Sequence, residues 1–150
     1  MKKILLFCVV VAGVLACSKD KFKTEPQVEI KSLSPKEVLN KDIFTLRATV
    51  RDQEGDLKDS VKIVMKMFTP GVSVPLDIDT IRYSLGDFTF PNSSTIEVNL
   101  LFSYGEFRDG YLPVSLVNSD REFSVGLIVH DKAGNISEYK ESEKIVLKKL

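Results

Sequence analysis

Four stretches of the chain alternate apolar and polar side chains with a period of two, and this pattern restricts the fold more than any other feature. In "FTLRATVRD", Phe44, Leu46, Ala48 and Val50 fall on one face, and Thr45, Arg47, Thr49 and Arg51 on the other. A strand turns successive side chains to opposite faces, so such a segment is half-buried with its apolar face on a core. "SVKIVMKMF" groups Val61, Ile63, Met65 and Met67 in this way, "STIEVNLLF" groups Ile96, Val98, Leu100 and Phe102, and "REFSVGLIV" groups Phe123, Val125, Leu127 and Val129. Further strand candidates are "QVEIKSL", "DTIRYSL" and "ISEYKESEKIVL". About seven strands parted by Gly, Asp, Asn and Pro clusters, with no convincing helical period, predict an all-β fold, a single antiparallel sandwich. "SPKEVLNKD" reads as a loop, because Pro35 and its polar neighbours disfavour a helical turn.

The first residues have a different character. Lys2 and Lys3 precede "ILLFCVVVAGVL", an apolar run of secretory-signal length that falls short of the about 20 residues needed to span a bilayer. "VLAC", with small Ala16 before Cys17, resembles the lipobox of bacterial lipoproteins, in which the cysteine is acylated and becomes the first mature residue. The alternative is an ordinary signal peptide cut after Ala16. The resemblance implies that residues 1–16 are a cleaved signal peptide, that Cys8 leaves with it, and that Cys17 carries lipid, so no disulfide is expected. Two or three acyl chains hold a protein at a membrane where one holds it only marginally. Residues 17–27, "CSKDKFKTEPQ", are too polar to form a core and read as a flexible tether. The "CSKDKF" start resembles that of Bacteroidetes lipoproteins, some of which carry acidic residues there as a signal for surface display. Here Asp20 stands between Lys19 and Lys21, which leaves surface-exposed and periplasm-facing outer-membrane locations both open.

Residues 28–150 suit one domain. Acidic and basic residues balance at 21 each, so no footprint for nucleic acid or anionic lipid is expected. "LRATVRDQEGDLKD" and "VGLIVHDKAGNISEY" each run from a strand into an acidic turn. The second is similar to the closing hairpin of bacterial immunoglobulin-like, cadherin-like and fibronectin type III-like domains, which implies an immunoglobulin-like sandwich. Such domains serve as spacers, adhesins, glycan binders and enzyme appendages, so the resemblance does not select a function. The antibody hallmarks, a core Trp and a cysteine pair, are missing.

In that topology the two acidic turns meet at the pole where the chain begins. Asp52 and Asp131 continue the inward phase of their strands, with Glu54, Asp56, Asp59 and Asn135 in reach. An oxygen-rich cluster of this kind can hold calcium. Equally, Asp, Gly and Asn are what tight turns require. No other cofactor is indicated.

An enzyme is not expected. His130 is the only histidine, its alternation phase sets it opposite Leu127 and Val129, and no "G.S.G" elbow, zinc cluster or singled-out carboxylate pair accompanies it. Binding has better support. "FSYGEFRDGYLPVSLVN" is a 17-residue segment, longer than a hairpin needs, and it carries Tyr104, Phe107, Arg108 and Tyr111. These side chains suit a glycan or an envelope protein; alternatively the rings cap the open end of the sandwich, with Tyr104 as a corner tyrosine. "TPGVSVPLDID" is a second long segment assigned to that pole. "DSV" and "DTI" resemble a three-residue O-glycosylation motif of exported Bacteroidetes proteins, with Ser60 and Thr80 as acceptors, though turn and strand chemistry explains both. The expectation is therefore a membrane-anchored lipoprotein presenting a non-catalytic binding or accessory module, with a structural subunit of an envelope assembly as the alternative.

Overall fold

The computed structural model describes residues 24–53, 55, 57, 60–84 and 94–150. Ten strands occur among them: β1 (Gln27–Ser34), β2 (Glu37–Val38), β3 (Ile43–Arg51), β4 (Ser60–Phe68), β5 (Pro75–Ser84), β6 (Thr95–Tyr104), β7 (Leu112–Val114), β8 (Arg121–His130), β9 (Lys140–Glu141) and β10 (Ile145–Leu147). They form two sheets, one ordered β1-β3-β6-β7 and the other β2-β10-β8-β4-β5, with β9 also paired to β8. The result is an immunoglobulin-like β-sandwich.

The alternation explains the core. Phe44, Leu46, Ala48 and Val50 of β3 are buried, as are Phe123, Val125, Leu127 and Val129 of β8 across the interior. Phe44 stacks on Phe102 of β6 with ring centroids 4.8 Å apart, and Phe123 meets Phe44 edge-on at 5.7 Å from the opposite sheet. Aromatic pairs in these geometries add about 0.5–1.5 kcal/mol to the burial of their area.

Three departures from the sequence reading concern short elements. The "SPKEVLNKD" segment is not wholly loop: β2 lies parallel to β10, with Val146 N donating to Lys36 O at 2.8 Å and Lys148 N to Val38 O at 2.9 Å. The first part of the chain therefore serves both sheets, β1 in one and β2 in the other. The long segment after β6 contains β7, parallel to β6, whose Leu112 and Val114 are buried. The final apolar stretch divides into β9 and β10.

Strand register defines two poles. At the proximal pole β1 begins opposite the end of β3, with Gln27 facing Arg51, and β8 ends opposite the start of β4, with His130 facing Ser60. At the distal pole β3 begins opposite the end of β6, and β4 ends opposite the start of β8.

Candidate functional site

The distal pole is built around Tyr104. This residue is fully buried, so it is not available to a partner and the partner-binding assignment for it is corrected. It continues the inward phase of β6 from Phe102, and its hydroxyl donates to Lys148 O at 2.8 Å while accepting from Val117 N at 3.2 Å. Burial pushes the phenol above its ordinary range, with Asp120 adding to the effect against the Val117 N–H. Tyr104 is thus a tie between the β6 end, the segment before β8 and the C-terminal residues.

Immediately beyond it the chain leaves the sandwich. Gly105 has φ +76°, a conformation that favours glycine, and a Cβ there would stand 2.4 Å from Asn40 Oδ1, so that side chain would also have to shift. The loop from 105 to 111 is braced from inside: Ser103 Oγ donates to Glu106 O at 2.8 Å, Arg108 pairs with Glu106, and Arg108 Nη2 donates to Lys41 O at 2.9 Å. Lys41 itself sits at φ 72° in the turn before β3. Tyr111 N closes the loop on Arg108 O at 3.2 Å, and Tyr111 is half-buried. Phe107, between Glu106 and Arg108, remains 79% exposed. Of the four predicted partner-binding residues, Phe107, Arg108 and Tyr111 therefore share one exposed loop.

Other exposed apolar side chains lie at this pole. Leu39 occupies the turn before β3, and Val72 and Val74 the turn joining β4 and β5. That second turn is held to the sheet by Gly71 N donating to Glu122 Oε1 at 3.3 Å and by Lys144 Nζ donating to Val72 O at 3.3 Å. Of "TPGVSVPLDID", only "TPGVSV" sits at the pole the sequence suggested; "PLDID" is the first half of β5 and runs away from it.

At the proximal pole Asp52 and Asp131 are both 2% exposed, in keeping with their inward phase. Asp131 Oδ1 accepts from Asn135 N and Oδ2 from Asn135 Nδ2, each at 2.7 Å, and Asp131 N donates to Asn135 O at 3.1 Å. Asn135 Nδ2 also reaches Thr24 O at 3.4 Å, so this turn adjoins the start of the described chain. Glu54, Asp56 and Asp59 lie outside the described residues, and among the described residues no group of three or more His, Cys, Asp or Glu side chains could hold a metal. Cys17 also lies outside them. Ser60 is buried and accepts from Arg82 Nε at 3.2 Å, whereas Thr80 is exposed on β5. His130 is partly exposed at the end of β8 and bridges to Ile136.

Two further features escaped the sequence reading. Between the sheets an apolar groove of about 390 Å³ is lined by Val61, Ile96, Val98, Leu112 and Val129. Its strands β5 and β6 lead into residues 85–93, which are outside the described set. On the outer face of the six-stranded sheet, Glu141 accepts from Lys66 Nζ at 2.6 Å, Ser124 Oγ at 2.5 Å and Tyr139 Oη at 2.9 Å. Burial alone would raise the Glu141 carboxyl, but these three donors hold it below its ordinary value.

No protein-family model matches the sequence, and no curated protein matches it. Several solved structures resemble the sandwich at low identity. The sporulation control protein Spo0M from Bacillus subtilis superimposes with TM-score 0.43 at 8% identity, over 84% of this chain and 50% of that one. A β-glucosidase from Listeria innocua, in complex with gluconolactone, gives 0.37 at 13% identity, over 84% of this chain and 16% of the enzyme. A CARDB domain from Pyrococcus furiosus, in complex with di-metal ions, gives 0.30 at 9% identity, over 84% of this chain and 86% of the domain. The chain thus spans half the length of the first protein and a small part of the second.

Proposed function

We propose that the chain is a lipid-anchored, non-catalytic binding or accessory module of the cell envelope, docking a protein or glycan at its distal pole. The observation that carries this reading is Phe107: a large apolar ring, 79% exposed, on a loop braced by its own hydrogen bonds and the Arg108–Glu106 ion pair. Interface energy concentrates in such aromatic and Arg side chains, and losing a true anchor costs about 2 kcal/mol or more. The tether supports the orientation. β1 begins at the proximal pole, and Cys17 lies ten residues before Gln27, so an anchor there leaves the distal pole facing away from the lipid.

The test is capture of envelope proteins and glycans by the intact chain and by Phe107→Ala. Binding is expected to fall sharply while the melting temperature stays the same. Unchanged capture by the variant would move the partner to the sheet faces or edges.

A further inference from the structure

β5 forms one edge of the six-stranded sheet, pairing with β4 and with no other strand among the described residues. It is ten residues long and nearly all exposed, including Leu76 and Ile78. An edge of this kind is a template for pairing with another chain. A second copy is the nearest candidate, because two β5 strands meeting antiparallel across a twofold axis near Thr80 would join the two large sheets into one.

Two hydrogen bonds oppose this. Ile78 N donates to Asp77 Oδ1 at 3.0 Å, and Thr80 N donates to Asp79 Oδ1 at 2.7 Å. In an antiparallel strand, N–H groups two residues apart point to the same side, and those that do not enter the ladder with the neighbour face the free edge. The Ile78 and Thr80 amides are therefore edge donors already taken by carboxylates of their own strand. Register adds to the effect. Asp77 stands opposite Met67 and Asp79 opposite Met65, so the phase that is apolar on β4 is charged on β5, and inward-phase charge is a recognised way of blunting an edge.

We infer that Asp77 and Asp79 cap the β5 edge and keep the molecule from pairing through it with a second copy of itself. A partner strand needs the Ile78 and Thr80 amides as donors to its carbonyls; with both capped, the centre of the edge offers acceptors only. The cap is made by the δ oxygens, which an amide also supplies; the inward-phase charge adds to it without being required.

Sedimentation of the mature chain, without residues 1–16 and bearing Cys17→Ser so that neither the apolar run nor an acyl chain drives association, tests this. The parent is expected to be monomeric and Asp77→Ala with Asp79→Ala to show a doubling of mass. Asp77→Asn with Asp79→Asn, which keeps the acceptor and removes the charge, should stay monomeric. Adding Ile78→Pro to the alanine pair removes an edge amide and should restore the monomer. The inference is overturned if the parent already pairs through β5, if the alanine pair stays monomeric, if the asparagine pair associates as readily, or if the dimer survives Ile78→Pro.

Discussion

Gly126 leaves no room for a methyl group: a Cβ there would lie 2.2 Å from a ring carbon of Tyr139, which is laid flat over the glycine and under the Lys66 ammonium, 4.8 Å from the ring centroid. Gly126→Ala should displace the ring and break its bond to Glu141, destabilising the fold by about 1–3 kcal/mol in urea titrations. Tyr104→Phe removes the hydroxyl that pairs Val117 N with Lys148 O, and a buried group left unpaired costs about 1–3 kcal/mol, so the same titration should register it. At the opposite pole, Asn135 already engages both oxygens of Asp131. Millimolar calcium is therefore expected to leave the melting curve unchanged, whereas an ion saturating a real site at about a hundred times its dissociation constant would add about 2.7 kcal/mol. Single residues were unevenly legible. The inward phase of Asp52 and Asp131 could be counted along their strands. Tyr104 and Phe107 lie three positions apart in one segment, and only the point where β6 ends decides which is core and which is surface.

Among elements, long strands declared themselves and short ones did not. β3, β6 and β8 each carry enough turns of the alternation to show a period, while β2 and β9 have two residues and β7 and β10 three, too few for any pattern. Their existence depends on backbone partners in other strands, near in the chain for β7 and β9 and distant for β2. The outer faces of β4 and β8 misled for a related reason: Val64 of β4 and Ser124 of β8 look solvent-facing by phase yet are buried, Ser124 donating to Glu141 of β9. That cluster has a pH signature. Glu141 is held below its ordinary value of 4.5, so the folded chain takes up this proton less readily than the unfolded one. Its contribution is complete above the ordinary value and is lost as pH falls through the folded one. Glu141→Gln should flatten the acid limb of the stability curve, read from urea midpoints between neutral pH and about pH 3. A limb as steep as the parent's would assign acid sensitivity to the exposed pairs, such as Glu122 with Lys144.

For the whole molecule, the sandwich was readable because its core rests on period-two alternation, while a partner for the proposed surface was not, because a binding surface imposes no period. The proposed address rests on one residue. Cys17→Ser is expected to release the chain from membranes in fractionated cells labelled with a fatty-acid probe, and equal retention would remove the anchor from the proposal. If the anchor holds, the division of the first strands between the two sheets acquires a mechanical meaning. Tension between Cys17 and a partner at the distal pole would run along β1, whose bonds to β3 span Gln27 to Ser34 and lie across the line of pull. Such bonds load together in shear instead of opening one after another like a zipper, and β2, held to β10 in the other sheet, would take up the strain next. Pulled from its N-terminus, the domain should yield at high force in one abrupt step; pulled across β4 and β5 from the side, it should peel.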